Sequence, residues 1–139
     1  MNATARGVRI LHAALAIGLS VVAGTFVLVV RGLGPSLTNT PLVGYATAGL
    51  GLANLAVAAG FFRPRIPQRR TDQSPDEYWV TTEARAAAIV IWAMIDGAGL
   101  ISLVGYLLTG SVVPAAVAAL AIVTLIVLRP SRLEGEGAV

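Results

Sequence analysis

The chain has 139 residues, of which 56% are hydrophobic and 12% charged, with a formal net charge of +3 and a mean hydropathy of +0.80. This composition indicates an integral membrane protein of single-domain size, and its arginines flank apolar segments, so the positive charge is no argument for a nucleic-acid partner. The chain contains no cysteine, which excludes disulfides, thiolate chemistry and cysteine-ligated metals.

Four continuously apolar segments are candidates to cross a hydrocarbon core of about 30 Å, which takes roughly 20 residues of helix. They do not alternate between apolar and polar residues, so transmembrane strands are excluded. The sequence therefore predicts an all-α polytopic membrane protein with one four-helix domain over 1–139. The predicted spans are 8–30, 41–62, 84–108 and 112–128, with a loop at 63–83 and a tail at 129–139.

Two polar side chains of the first span, His12 and Ser20, are functional candidates. His12 lies about one turn inside the helix, where we expect its ring at headgroup level, the alternative being a proton relay. A single histidine without a neighbouring carboxylate is a poor metal site, and no metal or other cofactor is predicted. At about 1.5 Å per residue, Ser20 lies roughly 16 Å into its helix, near the middle of the membrane.

The second span combines a polar residue with many small ones. Asn54 lies roughly 13 Å from the end of this helix, which again is near the midplane. Small residues let helix backbones approach closely in lipid, where packing drives association. On this span they are Gly44, Ala48, Gly49, Gly51, Ala58, Ala59 and Gly60.

The loop after the second span begins with a basic, proline-broken stretch at 63–70, which cannot continue the helix. A new helix is predicted from about Pro75, because Ser74 can cap it, proline suits its first position and Glu77 completes a capping box. We expect this short helix to lie at the membrane interface before the third span. The loop is interpreted as a solvated segment with an interfacial anchor, and the alternative is a docking site for a soluble partner.

Interfacial anchors are predicted near both ends of this loop and after the fourth span. Aromatic rings and arginine side chains prefer the headgroup region, where each presents a polar group to water and an apolar part to lipid. The predicted anchors are Arg63, Arg65, Tyr78, Trp79 and Arg129.

Asp96 is the only acidic residue of the third span and the main clue to function. An ionised carboxylate near the bilayer centre is costly unless it is paired, neutralised or facing water, so such residues are usually functional. Asp96 lies roughly 18 Å from the start of its helix, at a depth similar to those of Asn54 and Ser20. We therefore predict an ion- or proton-binding site at Asp96, with Asn54 as its partner and Ser20 nearby. The alternative is a neutral Asp96 that only fastens two helices by a hydrogen bond.

Small residues near Asp96 and on the second span predict close helix packing. The residues concerned are Ala93, Gly97, Gly99, Gly49 and Gly51. Packing within one chain accounts for some of them, and the remaining small surface predicts a homo-oligomer or contact with other membrane subunits.

The arginines predict the orientation. Nine of the ten basic residues lie at the amino terminus, in the central loop or in the tail, and Arg31 is the exception. By the positive-inside rule both termini and the 63–83 loop are cytoplasmic. All ten are arginine and none is lysine, which suggests a GC-rich bacterial genome and hence a bacterial inner membrane.

A weak internal repeat supports an arrangement as two tandem hairpins. The second span ends in Phe62-Arg63-Pro64-Arg65 and the fourth in Leu128-Arg129-Pro130-Ser131-Arg132. An arginine followed by proline also serves simply as an anchor and a helix stop, so this pattern has a second explanation.

Residues 93–108, with sequence AMIDGAGLISLVGYLL, resemble the carboxylate-bearing helix of the rotor-ring c subunit of F/V-type ATP synthases. The glycine-rich segment 44–60 and the Arg65-Ile66-Pro67 turn are similar to that subunit's first helix and its cytoplasmic loop. The resemblance covers about half of the chain, which has a longer connection and two additional spans. It implies that Asp96 binds a proton or Na⁺ in a ring that translocates the ion.

Two other functional classes stay open for this chain. A non-catalytic accessory or scaffold subunit of a membrane complex needs only small size and small packing residues. A small proton-coupled exporter also has four short helices and an intramembrane carboxylate, but there the carboxylate is on the first helix, where this chain has none. An enzyme is not expected, because no nucleophile and base pair, phosphate loop or metal cluster is recognisable.

Overall fold

The computed structural model describes residues 2–37 and 40–135, and every regular element in these ranges is helical. The predicted all-α fold class is therefore confirmed. The helices are α1, Ala3–Leu33; α2, Pro41–Val57; α3, Pro75–Val80; α4, Thr82–Thr109; α5, Val112–Val127; and α6, Pro130–Leu133. Helix α2 continues through a π-helical turn, Ala58–Phe62, and a 3-10 turn, Arg63–Arg65.

Three of these helical segments are long and apolar enough to cross a membrane. They are Ala3–Leu33, Pro41–Arg65 and Thr82–Thr109, while α5 is apolar but has only 16 residues. Such helices satisfy their backbone hydrogen bonds internally, as a hydrocarbon environment requires. Their length and composition indicate a membrane protein.

Local sequence signals set the ends of the shorter helices. The predicted capping box is present at the start of α3: Glu77 N–H donates to Ser74 Oγ at 3.2 Å, and Ser74 N–H donates to Glu77 Oε2 at 2.7 Å. Extended backbone at Thr81 separates α3 from α4, so the two helices are bent apart. Helix α4 ends at Gly110, whose φ of +66° is readily accessible only to glycine.

The chain beginning, the long connection and α6 lie at one end of the bundle. Asn2 N–H donates to Asp76 Oδ2 at 2.9 Å, and α6 contacts α1. At the opposite end, Leu37 N–H donates to Leu108 O at 2.7 Å, which joins the connection after α1 to the last turn of α4. The helices therefore run up and down alternately. We call the first end the arginine-rich end, because it carries every arginine except Arg31.

Helix α4 lies at the centre of the bundle and packs against α1, α2 and α5. It supplies Trp92, Ile95 and Ala98 to the core, all fully buried. By contrast, large apolar side chains on the outer faces of α1 and α2 are exposed, for example Leu28 and Leu42. An apolar outer surface of this kind suits contact with lipid chains, whereas soluble monomers rarely expose so much apolar surface.

Candidate functional site

Asp96 lies in the middle of α4, on the side that faces α1. It follows Trp92 by four residues and precedes Gly99 by three, so the three share one face of the helix. The rings of Trp92 and His12 lie 4.9 Å apart, and a Cβ added at Gly99 would lie 2.7 Å from Leu19 Cδ2. Asp96 itself stays partly exposed. Within residues 2–37 and 40–135 its carboxylate has no hydrogen-bond or ion-pair partner.

The structure does not bring Asn54 and Ser20 to Asp96. Gly105 packs against α2 and follows Asp96 by two and a half turns, so Asp96 points away from α2, which carries Asn54. The Ser20 hydroxyl donates to Ala16 O of its own helix at 2.7 Å. Similar depth therefore does not make the three residues a cluster within one chain, because they point in different directions. Their roles in binding an ion stay predictions.

The small residues predicted to pack fall into two groups. Gly51 and Gly99 are buried at helix contacts: a Cβ at Gly51 would lie 3.1 Å from Ala98 O and would overlap the Ser102 hydroxyl. Gly49 and Gly97 have no heavy atom within 4 Å of an added Cβ, apart from neighbouring residues. Ala93 is exposed. The second group, which includes two residues one turn apart beside Asp96, leaves open surface on the outside of the bundle.

Tyr78 and Trp79 occupy a different place from the one predicted. Both were expected to anchor the chain at the headgroups, but they are 2% and 0% exposed, respectively. The Tyr78 hydroxyl donates to Pro67 O at 2.7 Å, and the two rings pack edge to face with centroids 4.9 Å apart. Fully buried rings cannot anchor in lipid. They instead fasten the long connection to the arginine-rich end of the bundle.

Glu134 completes this aromatic cluster and was not among the predicted site residues. Its carboxylate accepts a hydrogen bond from Trp79 Nε1–H and lies 3.8 Å from the Arg69 guanidinium. Glu134 is only 4% exposed. Burial and, secondarily, the negative charge of Glu134 raise the pKa of Tyr78 to about 12. No local pattern in the sequence marks Glu134, because its partners lie 55 and more residues away.

His12 and Trp92 bind backbone carbonyls where α5 ends. Arg129 has extended backbone and Pro130 lacks an N–H group, so the last carbonyls of α5 have no donors within the helix. His12 Nε2 lies 2.8 Å from Leu125 O, and Trp92 Nε1–H donates to Leu128 O at 2.8 Å. The His12 ring is buried by these contacts, at 9% exposure. Its predicted place at headgroup level stays a prediction.

The predicted arginine anchors are exposed at the arginine-rich end. Arg63 and Arg65 belong to the 3-10 turn after α2, and Arg129 precedes α6. The Arg65 guanidinium carbon lies 3.3 Å from the centroid of the Phe61 ring, a cation–π contact that holds the side chain against the end of α2. Such placement is compatible with the headgroup contacts predicted for them.

The described residues bring together no group of three or more histidine, aspartate or glutamate side chains that could hold a metal ion. Asp96 stays the main functional candidate among the apolar helices. A single carboxyl group can bind and release a proton, pair with a cation or form a hydrogen bond.

Comparisons with known proteins add no relative. No family model matches the chain, and neither the curated proteins nor the solved structures include a match.

Proposed function

We propose that the chain is a four-span protein of a bacterial inner membrane, with both termini and the 63–83 loop cytoplasmic. Helix α5 is the fourth span; with 16 residues it measures about 24 Å, which tilt of its neighbours and local thinning of the bilayer accommodate. The orientation is supported by the arginine-rich end, which gathers nine of the ten basic residues at one end of the bundle.

We further propose that the chain forms a homo-oligomer in which Asp96 binds a proton at the interface between copies. The observation that carries this proposal is the position of Asp96: partly exposed in the middle of an apolar helix, with no partner for its carboxylate in the described chain. Ala93 and Gly97 lie beside it and leave room for another helix. A second copy packed there would cover Asp96, as the cost of a carboxyl group in lipid requires.

A proton is favoured over a metal cation by the number of ligands. A sodium or other hard cation is held by several oxygen atoms, whereas a proton needs one carboxylate. Asn54 and Ser20 are not assembled around Asp96, so one chain offers the carboxylate alone. Proton transfer at a helix interface is also what the resemblance to a rotor-ring c subunit implies, and a closed ring is the corresponding form of oligomer.

One observation supports an accessory or scaffold subunit as a second candidate. Because no other polar side chain of the described residues bonds to Asp96, a protonated carboxyl could serve only to donate a hydrogen bond to a neighbouring copy. In that case Asp96 contributes to assembly and moves no ion.

The substitution Asp96→Asn separates these functions, with Asp72→Asn as the matched control. Asp72 lies in the exposed connection, where it pairs with Arg70. The proton-binding proposal expects Asp96→Asn to assemble with the same stoichiometry by native mass spectrometry and to lose proton movement in liposomes, while Asp72→Asn retains both. If Asp96→Asn changes only assembly, the scaffold function is correct and proton binding is wrong. Absence of proton movement in the unmodified protein would also reject proton translocation.

A further inference from the structure

Two arginine–proline turns lie at the arginine-rich end. The first, Arg63-Pro64, follows the π-helical turn that extends α2, and the second, Arg129-Pro130, follows α5. Arg63 and Pro64 of the first turn line a cleft of about 340 Å³ together with Arg132, which lies in α6 just after the second. The cleft therefore lies between the turn that follows α2 and the residues of α6.

The cleft carries positive charge that the described acidic residues do not neutralise. Arg63 and Arg132 are exposed, and in the part of the chain that the structure describes neither guanidinium forms an ion pair. Glu134 is close to Arg132 in sequence, but its carboxylate is buried and bonded to Trp79 and paired with Arg69. Two cationic side chains therefore share one concave surface, and within residues 2–37 and 40–135 neither pairs with an acidic group.

The chemistry of the lining suits a phosphate group. A guanidinium presents parallel N–H donors that match two oxygens of a phosphate, and such charge-assisted hydrogen bonds are among the strongest in proteins. Gln68 also lines the cleft and adds a neutral amide donor, while the buried Ile66 and Leu133 form apolar parts of its wall. Donors of this kind on a concave surface recognise an anion with several oxygens.

We propose that this cleft binds the phosphate headgroup of an anionic phospholipid. The source is a lipid because the helix turns that lead to the cleft expose large apolar side chains, among them Phe61 and Val127, at 51% and 52%. These side chains would contact the acyl chain of a lipid. A free phosphate ion has no acyl chain to make that contact. The inference rests on the proposed membrane placement of the arginine-rich end and does not depend on the role of Asp96.

Lipid binding is measured with the full chain in neutral detergent after lipid removal. Native mass spectrometry follows titration with phosphatidylglycerol and, separately, with phosphatidylcholine, whose choline cation opposes the guanidiniums. We expect one phosphatidylglycerol per chain with at least about tenfold preference over phosphatidylcholine, and a loss of that preference in the Arg63→Gln/Arg132→Gln variant. Arg6→Gln is the matched control, since Arg6 is exposed at the same end outside the cleft and its loss should change affinity less than about twofold.

Several results would overturn the proposal. Equal losses in Arg6→Gln and in the double variant would mean that lipid is held by diffuse charge rather than by the cleft. Inorganic phosphate that binds as tightly as phosphatidylglycerol would contradict the assignment to lipid. If the glutamine variant does not fold, Arg63→Lys/Arg132→Lys keeps the charge but removes the paired donors, and unchanged affinity in it would also reject the cleft. Asp96→Asn should retain lipid binding, which separates failure here from failure of the proton site.

Discussion

Gly105→Ala is expected to destabilise the bundle, because helices α2 and α4 touch at this glycine. A Cβ added at Gly105 would lie 2.7 Å from Thr47 Cβ, whereas carbon atoms in favourable contact are about 3.5–4.0 Å apart. Rotation of Thr47 cannot relieve the overlap, since its Cβ is fixed to the backbone of α2. The two helices must therefore move apart by about 1 Å.

The size of the effect follows from two opposing contributions to the free energy of unfolding. Overpacking a well-packed contact costs about 1–3 kcal/mol. Alanine in place of glycine favours a helix by up to about 1 kcal/mol. We therefore expect a net loss of up to about 2 kcal/mol, which is up to about 8 °C in midpoint for soluble domains of comparable size. Thermal unfolding in detergent can be followed by the fluorescence of Trp79 and Trp92, the two tryptophans, both of which are fully buried.

Gly49→Ala is the matched control for this prediction. Gly49 lies on α2 two residues from Thr47, and an added Cβ there meets no atom within 4 Å. This variant should be neutral or slightly more stable than the unmodified protein. The combination Gly105→Ala/Thr47→Gly removes the Thr47 side-chain atoms that the added carbon would meet, and it should recover part of the loss. If Gly105→Ala unfolds at the same temperature as Gly49→Ala, the close approach of α2 and α4 is refuted.

Two further predictions concern the aromatic residues of the arginine-rich end. Because the pKa of Tyr78 is raised to about 12 from an ordinary value of 10.0, the unfolded chain loses this proton first as the pH rises, so stability should fall between about pH 10 and about pH 12. Chemical unfolding across that window should show a falling free energy of unfolding for the unmodified protein and a smaller decrease for Tyr78→Phe. Identical pH dependence of the two proteins would contradict the burial of this hydroxyl. Trp92→Phe leaves Leu128 O without its donor and should cost about 1–3 kcal/mol, measured by circular dichroism on heating, whereas an unchanged midpoint would mean that the carbonyl is satisfied in another way.

The elements of the fold that depend on neighbouring residues could be predicted from the sequence. The start of α3 at Pro75 is an example, since Ser74 and Glu77 bond to each other's backbone over three residues. Long apolar runs likewise indicated helices α1, α2 and α4, whose hydrogen bonds are internal to each segment.

The arrangement of side chains between helices could not be predicted in the same way. Depth along a helix follows from counting residues, but direction around its axis is weakly encoded when nearly every side chain is apolar. This is why Asp96, Asn54 and Ser20 appeared to be neighbours although they point in different directions. Tyr78 and Trp79 were misplaced for a related reason: their burial depends on Glu134, which follows them by more than fifty residues.

The bonds at the end of α5 have a consequence for the order in which the bundle is completed during synthesis. His12 and Trp92 precede their acceptors on α5 by 113 and 36 residues. Until α5 has been synthesised, two helices already in the membrane carry an imidazole and an indole whose final acceptors do not yet exist. On the proposed four-span topology, insertion of α5 supplies both acceptors at once. The arrival of α5 should therefore convert a loose set of inserted helices into a closed bundle.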